Sequence, residues 1–169
     1  MGNVGYNSIV GLLRVTEAGR KKPDPFVTDV LTYHAALEYE MDEFLSLSLP
    51  NSGRLQSDRF GFQHKISLIG ASWRGTADSC DKLTKALIRF NDLRNSVAHN
   101  DSEAVVQKHL LRLREATRTF VPTLPAAADV PSIAVYICAF MDDDTTALQT
   151  ATEIMTYFAD LASAAKLTI

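Results

Sequence analysis

The stretch DKLTKALIRFNDLRNSVAHN, from Asp81 to Asn100, is the part of this sequence that is most informative about the fold. Its apolar residues recur at intervals of three and four, the spacing of one face of an α-helix. Asn100 opens a turn-like segment, so the helix should end near Ala98. It should begin at about Asp81, with Ser79 or Asp81 as the N-cap. Its apolar face is predicted to consist of Leu83, Leu87, Phe90 and Val97.

Comparable patterns on both sides predict further helices. A long first helix should start at Asp24-Pro25, because proline suits the first helical turn, and end before the turn at 50–53. A shorter helix is predicted over about 60–73, and another over about 103–120. In the long first helix the inward positions should include Val30, His34, Leu37 and Met41. In the helix over 60–73 they should include Phe62, Ile66, Ile69 and Trp73. In the helix over 103–120 they should include Val106, Leu110, Leu113 and Thr117.

The last predicted helix runs from about Ser132 to Ala165. The run Ile133 to Phe140 is rich enough in β-branched and aromatic residues to resemble a strand, but one helical phase continues through the three aspartates at 142–144. A break at these aspartates is the alternative. Since no segment alternates with the two-residue period of a half-buried strand, the fold class is all-α. We expect a bundle of about five helices in one domain, 28–169, after an N-terminal extension, 1–27.

Composition limits the class of protein. The 169 residues suit a single domain, and an apolar fraction of 46% with a charged fraction of 22% is ordinary for a globular protein. The short apolar run near the N-terminus matches neither a signal peptide nor a membrane span. Cys80 and Cys138 are too few for a disulfide framework, which fits a cytoplasmic protein.

Charge is unevenly distributed. The net charge of −3 argues against nucleic-acid binding by bulk electrostatics alone. Between Arg74 and Phe120, however, the sequence has nine basic and six acidic residues, whereas Lys166 is the only Lys or Arg after Phe120. If the protein binds an anion, we therefore expect the binding site in the middle of the chain.

The segment RNSVAH, 94–99, carries the clearest chemical signal. Helical geometry places Arg94 on the apolar stripe, where a guanidinium must meet an acid, a carbonyl or an anionic ligand. Asn95 and His99 are four residues apart and share a helix face. The alternative is a purely structural helix end, with His99 facing the negative end of the helix dipole and Arg94 held by the fold.

FNDLRNSVAHN resembles the signature of the HEPN superfamily, in which an arginine, a polar residue, a short spacer and a histidine end a helix. Arg94, Asn95 and His99 match this pattern residue by residue. The order of helices is also similar, from a long acidic-flanked helix (YHAALEYEMDEFL) to the helix after the motif, over about 28–120. Outside that span the likeness is only that of helices.

The resemblance implies metal-independent RNA cleavage at a site that two copies of the motif form across a homodimer. The implied enzyme is an endoribonuclease of the toxin-antitoxin or antiviral-defence type, restrained by an antitoxin protein encoded nearby. Histidine can move protons near neutral pH, and arginine can hold a phosphate. The same family contains non-catalytic regulatory and interaction modules, including mannitol-repressor-like proteins, and this is the alternative function. No motif for sequence-specific DNA recognition is present.

Several other residues have a functional and a structural interpretation. An acid on the first helix, Glu38 or Glu40, could support Arg94, as in some members of that family, or belong to a solvated flank. Lys82, Lys85 and Arg89 could follow an RNA backbone or form an ordinary exposed face. His34 is interpreted as a core or interface histidine. Three successive aspartates on a helix point in different directions, so we expect no metal there, and no cofactor motif is present.

Overall fold

The structure, a computed structural model, describes residues 24–55 and 59–142. Within these ranges it contains five α-helices, one 3₁₀ turn and no strand. The helices are α1 (Pro25–Ser48), α2 (Phe62–Ser72), α3 (Ala77–Ala98), α4 (Glu103–Arg118) and α5 (Val130–Met141), and the 3₁₀ turn is Ser52–Arg54. The predicted all-α bundle of about five helices is confirmed.

The helix boundaries follow local capping chemistry. Asp24 accepts a hydrogen bond from the N–H of Phe26 at 2.8 Å, and Pro25 occupies the first turn of α1, as predicted. The predicted N-cap of α3 is wrong. The helix begins at Ala77, because the hydroxyl of Thr76 accepts the N–H of Ser79 at 3.1 Å.

Two predicted segments extend beyond the described residues. The predicted domain boundary at residue 28 falls inside α1, and the rest of the N-terminal extension, 1–23, is outside the described ranges. Asp142 is the C-cap of α5, and the predicted helical course over 143–165 is likewise outside them. None of the described helices is long and apolar enough to cross a membrane.

The core surrounds α3, which packs against each of the other four described helices. Its inward face is fully buried at Leu83, Leu87 and Phe90, as the periodicity predicted, whereas Val97 is partly buried. α1 packs on α5, α2 and α3 and buries one stripe of its surface. This stripe consists of Val30, His34, Leu37, Met41 and Leu45. Because α3 packs against all four of these helices, its orientation is fixed, and with it the position of its C-terminal turn.

Aromatic side chains close one end of the bundle. Phe44 of α1 stacks on Trp73 with ring centroids 5.7 Å apart, and Trp73 lies 6.5 Å from Phe140 of α5. Phe120 stacks on Phe140 at 4.2 Å. Offset aromatic contacts of this kind add to the hydrophobic stabilisation. They join the ends of α1, α2, α4 and α5 at a place separate from the RNSVAH segment.

Candidate functional site

The C-terminal end of α3 carries the RNSVAH segment. Asn100 adopts a left-handed conformation, with φ of 56°, and its N–H donates to the carbonyl of Val97 at 3.1 Å. The next N–H reaches back to the carbonyl of Ser96 at 3.1 Å, which completes a Schellman motif. His99 is therefore the C-cap, and its N–H donates to the carbonyl of Asn95 at 2.9 Å. The helix ends where the sequence predicted.

The three residues of the motif differ in exposure. Arg94 is half-buried, at the edge of the apolar stripe that contains the fully buried Leu87. Its Nη1 donates to Oδ1 of the half-buried Asn95 at 3.2 Å. His99 is exposed. The structure thus brings Arg94 and Asn95 into contact and presents the His99 imidazole to solvent on the last turn of the same helix.

A buried histidine of α1 meets the same face of α3. Nε2 of His34 lies 3.2 Å from Oδ1 of Asn91, and the His34 ring stacks on Phe62 with centroids 4.1 Å apart. Asn91, Asn95 and His99 follow one another at four-residue intervals, so they form one ridge along α3. Its polar groups run from the covered contact with His34 to the exposed His99.

The surroundings of His34 favour its neutral form. Its exposure is only 8%. Burial lowers the pKa of His34 from 6.5 to about 4; the hydrogen bond with Asn91 raises it, the positive charge of Arg94 lowers it and the negative charge of Glu38 raises it. His34 is therefore neutral at physiological pH, and it lies close enough to Arg94 to respond to its charge.

Glu38, the first of the two acids predicted to support Arg94, lies beside His34 and binds a buried lysine. Nζ of Lys65, on α2, donates to Oε1 of Glu38 at 3.1 Å and to Oδ2 of Asp42 at 2.8 Å. The Lys65 side chain is 4% exposed, so its ammonium depends on these carboxylates. Glu38 thus belongs to a charged cluster between α1 and α2 that adjoins His34.

Glu40, the second predicted acid, faces a different part of the molecule. It lines a cavity of about 270 Å³ together with Trp73 and Met141. Burial, and after it the negative charge of Glu40, raises the pKa of Cys138 on α5 to about 12. The structure therefore places Glu40 towards α5 and does not bring it to the RNSVAH segment.

The predicted RNA-tracking residues of α3 are largely engaged with acids of their own helix. Lys82 pairs with Asp78, and Nη1 of Arg89 donates to Asp92 at 2.9 Å. Lys85 is exposed. Surface pairs of this kind are weak and screened by salt, but they reduce the positive charge offered to an anion.

Bases on α4 serve partly to hold the following loop. Arg114 donates to the carbonyl of Ala128 at 2.8 Å, and Arg118 donates to the carbonyls of Leu124 and Pro125. Lys108 and Arg112 are exposed. The middle of the sequence has more basic than acidic residues, but some of these bases bind groups of the protein itself. The positive charge that they offer to an anion at the surface is therefore smaller than the residue counts suggest.

Sequence reasoning missed Asn91 and Lys65. Asn91 stands four residues before Asn95 and eight before His99, and this spacing could have identified it as a member of the same ridge. Lys65 falls three residues after Phe62, within the apolar phase of α2. A lysine in that phase requires a buried acid, which could have directed attention to α1.

No group of three His, Cys, Asp or Glu side chains in the described part of the chain could hold a metal ion. Comparison of the chain with models of protein families, with curated proteins and with solved structures finds no match.

Acid should destabilise the fold through His34. The unfolded chain takes up a proton near pH 6.5, whereas folded His34 resists it until about pH 4. The unfolded state therefore binds more protons between these values, so stability falls as pH falls through this window, by about 3 kcal/mol in total. Above pH 6.5 the contribution is fully present. Urea denaturation from pH 7.5 to 4 should show this fall in the free energy of unfolding. The dependence on pH should be weaker in His34→Gln. The control is His64→Gln, which replaces an exposed histidine on α2 and should show the same dependence as the wild type.

Proposed function

We propose that this protein is a metal-independent endoribonuclease of the HEPN type, acting in toxin-antitoxin or antiviral-defence systems in the cytoplasm. One observation carries the proposal: Arg94 and Asn95 touch each other on the last turns of α3, with His99 exposed at the C-cap. A fixed cation, an amide and a titratable imidazole on one helix end are the groups that cleavage of a phosphodiester by a ribose 2′-hydroxyl needs.

The proposed chemistry requires no metal. The 2′-oxygen bonds to phosphorus while the bond from phosphorus to the 5′-oxygen breaks. One imidazole accepts the 2′-hydroxyl proton, and a second returns a proton to the leaving 5′-oxygen. The guanidinium of Arg94 stabilises the charge that develops on the phosphate oxygens, and Asn95 orients the guanidinium through its 3.2 Å contact. The products carry a 2′,3′-cyclic phosphate and a 5′-hydroxyl.

Two copies of the chain complete this site. One chain supplies a single His99, whereas the reaction uses both a base and an acid. In a dimer with twofold symmetry the same patch of each chain meets, so one short motif contributes two arginines and two histidines to one cleft. The exposure of His99 and the half-buried position of Arg94 suit a surface that a second copy covers.

The direct test is incubation of the purified protein with labelled RNA in the presence of EDTA. We expect cleavage that survives chelation and leaves cyclic phosphate ends. A substrate with 2′-deoxyribose at the cleaved position should remain intact, because it lacks the attacking hydroxyl. Absence of cleavage in every preparation, including protein freed of any co-purified antitoxin, would overturn the nuclease proposal.

Disulfide trapping should detect the dimer. In a background with Cys80→Ser and Cys138→Ser, Ala98→Cys places a thiol on an exposed position beside His99. Mild oxidation should link two Ala98→Cys chains rapidly, because the two helix ends face each other. The matched control is Ser67→Cys, exposed on α2, which should cross-link slowly. Equal rates for both variants, or a monomer in solution, would rule out the composite site.

The alternative function is a non-catalytic helical interaction module. It is favoured by the pairing of Lys82 and Arg89 with acids and by two exposed apolar side chains on α1, Tyr39 at 63% and Leu47 at 81%. Apolar groups at such exposure suit contact with another protein. An RNA assay without cleavage, together with a stable protein complex, would favour this function.

A further inference from the structure

The polar groups of α1 form a ridge that faces both neighbouring helices. His34, Glu38 and Asp42 follow at four-residue intervals along α1. Lys65 of α2 binds both carboxylates, and Asn91 of α3 binds His34. Through these contacts the charged cluster of Glu38, Asp42 and Lys65 is connected to the ridge of α3 that begins at Asn91 and ends at His99.

His34 sits between charges of opposite sign from all three helices. Glu38 of α1 favours a proton on the imidazole, and Arg94 of α3 opposes it. Lys65 of α2 is bound to Glu38 and Asp42. Arg94 follows Asn91 by three residues, about one turn of α3, and Asn91 is the residue that contacts His34. An anion bound at Arg94 would therefore lie close to the His34 imidazole.

We propose that a phosphate group bound at Arg94 and a proton bound at His34 stabilise each other, so that His34 couples phosphate binding to pH. This coupling rests on the proposed function in taking Arg94 as the residue that binds phosphate. A bound phosphate offsets the guanidinium charge that opposes the imidazolium, and it adds attraction of its own. Linkage then requires that the proton strengthens phosphate binding by the same factor.

The hydrogen bond with Asn91 specifies which nitrogen takes the proton. Oδ1 of Asn91 can only accept, so Nε2 of neutral His34 is the donor. Nε2 keeps its hydrogen and its bond in the imidazolium, and the added proton goes to Nδ1. The contact between α1 and α3 is therefore preserved in both protonation states, and His34 can change charge without breaking it.

The test is an NMR titration of the His34 imidazole with and without a short oligothymidylate. This probe has phosphodiesters, thymine does not titrate in the range used, and the absence of 2′-hydroxyls prevents cleavage. We expect the bound probe to raise the pKa of His34 by about one to two units. The corresponding gain in affinity between pH 7 and pH 5 is about twofold to tenfold.

Variants assign the effect to the two residues. Arg94→Gln should abolish the pKa rise, and His34→Gln should bind the probe with an affinity that no longer increases in acid. Arg112→Gln, which removes an exposed base on α4, should leave the pKa rise intact. Native spectra of each variant establish that it is folded.

The outcomes separate the coupling from the nuclease proposal. A pKa rise that needs Arg94 supports the coupling even where RNA is not cleaved. An unchanged His34 pKa in the bound complex, or a rise that persists in Arg94→Gln, overturns the coupling even where RNA is cleaved. Failure of the probe to perturb the Arg94 resonances at any pH also overturns it.

Discussion

Arg94→Ala and His99→Ala are each expected to lower the rate of RNA cleavage by about 100-fold to 10,000-fold. Removal of a group that stabilises developing charge costs about 100-fold to 1,000-fold, and removal of a proton-transfer group costs up to about 10,000-fold. Rates under single-turnover conditions with saturating protein measure these losses. In a symmetric dimer each substitution removes both copies of its residue, which enlarges the effect.

Conservative variants distinguish chemistry from folding. Arg94→Lys keeps the positive charge but loses the planar fork, so an intermediate loss is expected. His99 is exposed, so His99→Ala should unfold at nearly the same urea concentration as the wild type. Arg112→Ala, which also removes an exposed base, is the control and should retain most of the rate. Full activity in either Arg94→Ala or His99→Ala would contradict the proposed site.

Loss of both carboxylates around Lys65 is expected to destabilise the fold by about 3 kcal/mol or more. The double variant Glu38→Gln/Asp42→Asn leaves the ammonium at 4% side-chain exposure with no opposite charge. Breaking a buried ion pair in this way costs about 3 to 5 kcal/mol. Urea denaturation at pH 7 measures the loss.

A third substitution tests the cause. Adding Lys65→Met removes the uncompensated charge and keeps a side chain of similar length, so the triple variant should recover most of the lost stability. The exposed pair of Asp78 and Lys82 provides the matched control, and Asp78→Asn should change the free energy of unfolding by less than about 1 kcal/mol. A triple variant as unstable as the double variant would show that packing, not charge, explains the loss.

The sequence alone determined that the described part of the chain is helical, and it determined where α3 ends. Apolar spacing identified Leu83, Leu87 and Phe90 as the buried face, and turn chemistry at Asn100 ended the helix. These features depend on interactions within about four residues, which a single sequence displays directly. The contact between Arg94 and Asn95 was not predicted, although it joins neighbours in sequence.

The start of α3 was less predictable. Its first turn, from Ala77, is polar, so apolar periodicity could not mark the beginning. Several residue types there can cap a helix, and the two predicted caps, Ser79 and Asp81, did not include Thr76. The structure shows that the hydroxyl of Thr76 makes this bond.

Only the tertiary structure decided which polar residues meet. His34 and Asn91 are 57 residues apart, and their contact depends on how α1 crosses α3. Glu38 and Glu40 look equivalent in the sequence, yet two residues along a helix turn a side chain by about 200°. Glu38 therefore meets Lys65, whereas Glu40 lines the cavity beside α5. Periodicity defines the faces of each helix, but the packing of helix against helix determines which faces come together.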